Sequence, residues 1–166
     1  MTMRIYVGTY AKYNDGNLFG KWLDLEDYAD RDDFYEAVKE LHSDEDPDNL
    51  EPMFQDWEGI PSDMISESLV SPECWPLLDA YEKYDEDAVN AYCDCFGEWN
   101  ERDFNECYRG KYDSWEHMAE ELLEETGELN RIPESLRYYF DYEKYANDLR
   151  IGGDFTEQDG YYFWNH

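Results

Sequence analysis

The chain has 166 residues, and its 43 Asp and Glu residues outnumber its 13 Lys and Arg residues, giving a formal net charge of −30. A surface of that sign repels nucleic acid and anionic membranes, which excludes a protein that binds either of them directly. The chain also contains 16 Tyr, 8 Phe and 6 Trp, whose rings bury large apolar areas. We therefore expect a folded protein with an acidic surface rather than a disordered chain.

The first sixty residues predict a small ββαβ unit. Residues 4–10 are β-branched and aromatic, and the turn signal NDGN separates them from a second candidate strand at 18–25, which indicates a hairpin. Asp30 is placed to cap a helix over residues 31–42. The segment MFQDW, at 53–57, predicts a third strand.

The middle of the chain predicts helices, because residues 62–103 lack the alternation that strands require. Ser71 followed by Pro72 marks a helix start. A second helix is expected from Asp85 to Phe96, with its acidic residues facing solvent.

The last third predicts further helices and a small sheet. Ser114 is placed to cap a helix that runs to about Thr126, and Gly127 is its expected stop. Tyr142 begins a second apolar stripe with helical spacing, and residues 155–164 are expected to close a sheet.

These elements predict an α+β protein, an elongated chain of three small packed domains with a highly acidic surface. An elongated shape is favoured because it separates like charges that would destabilise a compact body. The expected parts are an N-terminal α+β domain at 1–60, a central helical domain at 61–103 and a C-terminal α+β domain at 104–166 that contains the acidic helix after Ser114.

The sequence lacks the common patterns of catalytic and metal sites. None of the three histidines follows a Glu at the Glu-x-x-His spacing, and no phosphate-binding glycine loop is present. Asp44, Asp46 and Asp48 have the spacing of a calcium loop, but Pro47 interrupts it and Gln55 stands at the twelfth position. We therefore expect no catalytic residue, no cofactor and no metal.

The cysteines are expected to be reduced and mostly buried. The first residues lack the pattern of a secretory signal peptide, no segment is apolar enough to span a membrane, and Cys93 and Cys95 form Cys-x-Cys rather than a paired zinc knuckle. These observations predict a cytoplasmic protein.

Acidic residues occur in every section of the chain, whereas one acidic run alone usually indicates only a solvated face. B-DNA carries one charge per about 1.7 Å of its axis, so a charge of −30 equals that of roughly 50 Å of duplex. Acids three or four residues apart on a helix lie about 5–6 Å apart, comparable with phosphates along a strand. The expected phosphate-mimicking surface comprises Asp24, Glu26, Asp27, Asp30, Asp32, Asp33, Glu36, Glu40, Asp79, Glu82, Asp85, Glu86, Asp87, Asp94, Glu98, Glu101 and Asp103.

Several strings of the sequence resemble the ArdA antirestriction proteins: IYVGTYAKYNDG with GKWLDLEDY, then FQDWEGIP, WEHMAEELLEETGEL and FDYEKYANDL. The likeness covers nearly the whole chain. It implies a non-catalytic DNA mimic, carried on mobile genetic elements, that occupies the DNA-binding groove in the methyltransferase core of Type I restriction-modification enzymes. Inhibition of restriction, and of modification as well, would follow. The resemblance also implies a three-part homodimer that needs no cofactor and binds no nucleic acid.

Two segments near the end of the chain each have two interpretations. The stretch Trp115–Leu129 resembles the short antirestriction motif of the family, or it is simply an amphipathic helix. The final third supplies aromatic surface that suits either a dimer contact or, as we favour, an ordinary core. The motif acids are Glu116, Glu120, Glu121, Glu124 and Glu125, and the aromatic residues are Tyr138, Tyr139, Phe140, Tyr142 and Tyr145.

Two other functions compete with DNA mimicry. An acidic adaptor or chaperone for another basic DNA-binding protein would have the same charge but a different partner. A carboxylate-dependent hydrolase would need a few acids with raised pKa in a cleft. Removing one acid would abolish such a catalytic activity, whereas a distributed surface would weaken gradually.

Overall fold

The computed structural model describes residues 2–165 and contains two compact units, Met1–Glu86 and Asp87–His166. Each unit holds a three-stranded antiparallel sheet together with helices. The expected α+β class is therefore confirmed. The finer division into three domains stays a prediction.

The sheet of the first unit has β1 (Arg4–Thr9) at its centre, with β2 (Lys21–Asp24) and β3 (Pro52–Glu58) paired antiparallel on its two sides. All three strands coincide with the predicted ones. Ile5 and Val7 point into the core and are fully buried, as the period of two in a strand requires.

The predicted hairpin is correct in its pairing but wrong in its connection. A short helix, α1 (Tyr10–Asn14), begins directly after β1, because the Thr9 hydroxyl accepts a hydrogen bond from the backbone N–H of Lys12 at 3.2 Å. This cap satisfies a backbone donor that would otherwise continue the strand. The NDGN turn therefore ends a helix instead of joining two strands.

The core of the first unit forms where α2 (Arg31–Leu41) packs on the sheet. Asp30 caps this helix as predicted, accepting from the N–H of Asp33 at 2.8 Å. Phe34 of α2 lies 6.0 Å, ring to ring, from Phe54 of β3. Helix α3 (Cys74–Lys83) joins this core through Trp75, whose indole N–H donates to the carbonyl of Leu25 at 3.1 Å.

The second unit begins with two helices and a strand. These elements are α4 (Glu86–Phe96), α5 (Glu101–Cys107) and β4 (Tyr108–Lys111). Strand β4 was not predicted from the sequence. The sheet order is β4-β6-β5, with β5 (Phe155–Gln158) and β6 (Tyr161–Trp164) forming the expected closing pair.

Helix α6 (Trp115–Thr126) has both of its predicted ends. Ser114 accepts from the N–H of His117 at 3.1 Å, and Gly127 ends the helix in the left-handed region at φ 70°. The chain continues through α7 (Glu134–Arg137) and α8 (Tyr142–Gly152), and α8 packs against α6.

Gly59 offers a direct test of the backbone geometry in the first unit. Its φ is +76°, and a Cβ placed there would overlap the backbone carbonyl of Thr2. We expect Gly59→Ala to lower the free energy of unfolding by about 2–4 kcal/mol, from strain and overlap together. Urea denaturation followed by circular dichroism measures this change.

Gly16→Ala is the matched control, because Gly16 has nearly the same φ of +79° but no neighbouring atom within 4 Å of the added Cβ. It should show only the strain of the left-handed backbone, about 1 kcal/mol. Equal losses for the two variants would contradict the close approach of Gly59 to Thr2.

Candidate functional site

Helix α2 carries a row of carboxylates along its solvent side. Asp32, Glu36 and Glu40 follow one another at intervals of four residues, and all three are exposed. Each step advances about 6 Å along the helix axis. Phe34 and Val38 hold the opposite side in the core, so the orientation of the row is fixed by the same burial that stabilises the helix.

Helix α6 carries a second row of the same geometry. Glu116, Glu120 and Glu124 are exposed at the same interval of four residues, and the exposed Glu121 and Glu125 flank them. The buried side consists of Met118, Ala119 and Leu123. We call Glu116, Glu120 and Glu124 the α6 row.

Some of the acids in and beside the two rows form ion pairs with basic residues, and others do not. Arg109 pairs with Glu125, Lys39 pairs with Glu36 at 3.3 Å, and the ring of His117 lies 4.0 Å from Glu121. Across residues 2–165, no Lys, Arg or His lies within salt-bridge distance of the α6 row. The last turn of α6 contains no basic residue, although the helix dipole favours a cation there. Glu116 lies in the first turn, where the dipole favours an acid, but Glu124 lies in the last turn, where it does not. The C-terminal end of the row therefore opposes helix stability, and so does repulsion between acids four residues apart.

The remaining predicted surface acids are also solvent-accessible. Asp30 and Asp33 orient backbone N–H groups at the start of α2 and remain exposed. Asp24 and Glu86 are half-buried. The other predicted residues outside the two rows are exposed: Glu26, Asp27, Asp79, Glu82, Asp85, Asp87, Asp94, Glu98, Glu101 and Asp103.

Comparison with known proteins identifies the family of this acidic chain. The sequence model of the antirestriction protein (ArdA) family matches residues 5–163. The chain belongs to the ArdA family. Membership implies an antirestriction function, with a restriction-modification enzyme as partner, in a family of inhibitor proteins. No curated protein sequence matches the chain.

Two further sequence predictions for this ArdA-family chain can be compared with the structure. Of the motif-like stretch 115–129, residues 115–126 form the amphipathic helix that carries the α6 row. The identification of the stretch as an antirestriction motif stays a prediction. The preference for an aromatic core in the last third is wrong for Tyr138 and Tyr139, which are 90% and 76% exposed. Phe140, Tyr142 and Tyr145 are half-buried. In the part of the chain described, no helix has the length and apolar character needed to cross a membrane.

The calcium-like spacing after α2 has a local structural role. Asp46 accepts from the N–H of Asp48 at 3.1 Å and from the side chain of Asn49 at 2.7 Å. The ligand atoms of His42, Asp44 and Glu45 lie within 4.8 Å of one another. The ammonium of Lys12 lies among these three groups, a contact that sequence reasoning missed.

Lys12 takes the position that a cation would occupy in this cluster. Its Nζ lies 2.6 Å from Glu45, 2.9 Å from Asp44 and 3.0 Å from Nδ1 of His42. The other ring nitrogen of His42 lies 3.1 Å from the carbonyl oxygen of Val7. Because that oxygen can only accept, Nε2 donates to it and Nδ1 accepts from Lys12.

Two opposing effects act on the charges of this cluster. Burial lowers the pKa of Lys12, but hydrogen bonds from its ammonium to Glu45 and Asp44 outweigh burial, so the net pKa is raised. Burial raises the pKa of Glu45, but hydrogen bonds from Lys12 and Thr9 outweigh it, so the net pKa is lowered. Both groups are therefore held in their charged forms.

The two buried cysteines are poor nucleophiles. All four are free thiols; Cys74 and Cys107 are buried, as expected, while Cys93 and Cys95 are half-buried. Burial, with a smaller contribution from nearby acids, raises the pKa of Cys74 and of Cys107 to about 11. The reactive thiolate is therefore scarce at neutral pH.

We expect Lys12→Met to lower the free energy of unfolding by about 2 kcal/mol at pH 7, because it leaves the mostly buried Glu45 charged and unpaired. The native pKa of Glu45 lies below its unfolded value, so its pairing stabilises the protein above about pH 4.3 and is lost as the pH falls. The deficit of the variant should therefore shrink below about pH 4.3, as measured by urea denaturation from pH 7 to pH 3.

Lys39→Met is the matched control, since it removes the same ammonium from an exposed pair with Glu36. Exposed pairs contribute little to stability, so this variant should unfold like the wild type at every pH. A Lys12→Met deficit that stays constant down to pH 3 would contradict the assigned role of Glu45.

Proposed function

We propose that this chain is a DNA mimic that acts in the cytoplasm, occupying the DNA-binding groove in the methyltransferase core of Type I restriction-modification enzymes. Such occupancy blocks restriction, and it blocks modification because both activities use the same DNA. The observation that carries the proposal is the α6 row. Its three carboxylates are exposed and lack a described basic partner. Their mutual repulsion, together with the position of Glu124 in the last turn, opposes the stability of the helix that presents them.

The spacing of the carboxylates supports this mechanism. Helices α2 and α6 each present acids every four residues along one side, which places neighbouring carboxylates about 6 Å apart, comparable with phosphates along a DNA strand. A groove that binds DNA presents Lys and Arg side chains to such rows. The same side chains can therefore pair with either helix.

The charge also gives the proposal a kinetic and thermodynamic consequence. A net charge of −30 steers the chain toward a basic groove and accelerates association at low salt. Basic residues that pair with many carboxylates lose their own condensed or bound anions, so the affinity should fall steeply as salt is raised. No individual carboxylate is required, because the energy is divided among many pairs.

We also infer that the chain forms a homodimer through apolar side chains of the second unit. Residues 136–151 of this unit expose four large apolar side chains. Tyr138 and Tyr139 contact each other edge to face, with ring centroids 5.4 Å apart. Aromatic and aliphatic side chains at this exposure are typical of the core of an interface. The four residues are Leu136, Tyr138, Tyr139 and Ile151.

We expect Glu120→Gln/Glu124→Gln to weaken binding to a Type I methyltransferase core by about tenfold at low salt, if each exposed pair contributes about 0.5–1 kcal/mol. The variant should also reduce the dependence of affinity on salt. Its thermal midpoint should be equal to or higher than that of the wild type, because repulsion between acids four residues apart is removed. Titration calorimetry and thermal denaturation measure the two effects.

Glu134→Gln/Glu143→Gln is the matched control. It removes the same charge from two exposed acids that open α7 and α8, outside the predicted surface. The control should bind nearly as the wild type does. Equal weakening by both double variants would show that only net charge matters and would contradict a specific role for the α6 row.

We expect Tyr138→Ser/Tyr139→Ser to convert the dimer into monomers at micromolar concentration while each chain keeps its fold. Analytical ultracentrifugation reports the mass, and circular dichroism reports the fold. Tyr13→Ser, at an exposed tyrosine of the first unit, serves as control and should leave the mass unchanged. A wild-type chain that sediments as a monomer would contradict the inferred dimer.

A further inference from the structure

A cavity in the second unit lies between α4, α5 and the end of β6. Its volume is about 590 Å³, within the range typical of ligand-binding pockets. It is open to solvent. The acidic rows of α2 and α6 and the exposed Tyr138 and Tyr139 do not line it, whereas Glu98 and Asp103 of the expected phosphate-mimicking surface do. We call it the aromatic-acidic pocket, and its principal lining residues are Tyr92, Phe96, Glu98, Trp99, Asp103 and Trp164.

The aromatic walls are held by contacts within the unit. The ring of Tyr92 lies 5.1 Å from Phe96 and 5.5 Å from Trp99, with an interplanar angle of 81° in the second pair. Phe96 and Trp164 remain 42% and 48% exposed, so part of each ring is accessible from solvent. The pocket thus offers ring faces in more than one orientation.

The mouth of the pocket carries negative charge. Glu98 and Asp103 are exposed, and no Lys, Arg or His is among the described residues that line the cavity. Asn100 fixes the local backbone by accepting from the N–H of Asp103 at 3.0 Å. Burial raises the pKa of Tyr92 to about 12, and the charge of Asp103 adds to the effect.

We propose that the aromatic-acidic pocket binds the guanidinium group of an arginine side chain, supplied by the basic groove of the partner enzyme. This rests on the proposed function for the source of the arginine. Ring faces attract cations through their quadrupole, and the two carboxylates accept the hydrogen bonds of a bound cation.

Arginine fits this pocket better than lysine does. The guanidinium is planar, stacks on aromatic faces and presents a fork of N–H donors that two carboxylates can share. It is also hydrated more weakly than an ammonium group, so less solvation is lost when it enters an aromatic cavity. The pocket would therefore act as one anchored contact within an otherwise distributed electrostatic surface.

The pocket chemistry can be tested without an enzyme. The probe is N-acetyl-argininamide, titrated into the full chain while the indole N–H signals of the tryptophans are followed by NMR. The neutral isostere N-acetyl-citrullinamide is titrated at the same ionic strength. We expect saturable shifts of the Trp99 and Trp164 signals with the arginine probe and at least fivefold weaker binding of the citrulline probe.

Two variants identify the groups responsible. Phe96→Leu keeps apolar bulk but removes a ring face, and Glu98→Gln/Asp103→Asn keeps the shape but removes both charges. Each should weaken binding of the arginine probe about fivefold to tenfold. Circular dichroism confirms that each variant is folded. Equal binding of the two probes, or no saturable shift with either, would overturn the proposal.

A second experiment separates this inference from the proposed function. Phe96→Leu should weaken binding of the chain to a Type I methyltransferase core about tenfold while leaving the salt dependence unchanged, since no charge is removed. If the wild-type chain binds the core and Phe96→Leu binds equally well, the arginine contact is wrong and mimicry stands. If the chain binds the arginine probe but does not bind the methyltransferase core, the pocket chemistry stands. The proposed function is then wrong, and the enzyme is not the source of the arginine.

Discussion

Mutual repulsion among the carboxylates, at a formal net charge of −30, destabilises the folded state of this chain. Aromatic packing within each unit offsets this repulsion. In the first unit Phe34 contacts Phe54 and Trp75 at ring distances of 6.0 and 6.1 Å. In the second unit Tyr92 lies 5.7 Å from Phe104 and 6.0 Å from Phe163. Because large rings bury much area per residue, few positions are needed for the cores and many are left for acids.

Amphipathic helices connect these cores to the proposed function. In α6 the burial of Met118 and Leu123 determines which way Glu120 faces, so packing inside the unit sets the position of charge outside it. Side-chain caps at Asp30 and Ser114 fix the residues at which the two helices begin. Arg109 pairs with Glu125, but the last turn of α6 itself contains no basic residue and Glu124 stays exposed there, an arrangement that suits binding better than helix stability.

Local chemistry explains which parts of the fold the sequence predicted well. The caps at Asp30 and Ser114 and the stop at Gly127 act within a few residues, so their signals can be read from short segments. Helix α1 was missed because the hydroxyl cap at Thr9 competes with strand continuation. Strand β4 was missed because only Tyr108 of its four residues, YRGK, favours a strand, and the strand depends on pairing with β6.

The candidate sites also differ in whether short segments of the sequence could predict them. The acidic rows follow from helical spacing and could be predicted, whereas the Lys12 cluster joins residues 30 or more positions apart. The aromatic-acidic pocket combines Trp99 with Trp164, and no local pattern connects them. Composition indicates that the surface is acidic, but only tertiary structure shows which acid meets an internal cation and which surrounds a cavity.

Displacement of DNA from a Type I methyltransferase core tests the central claim most directly. A labelled duplex is bound to the purified core, and the chain is titrated into the complex at low and at high salt. DNA mimicry predicts stoichiometric release of the duplex at low salt and weaker release at high salt. If the duplex stays bound at every concentration and salt, the chain does not compete for the groove, and an acidic adaptor for another basic protein becomes the better account.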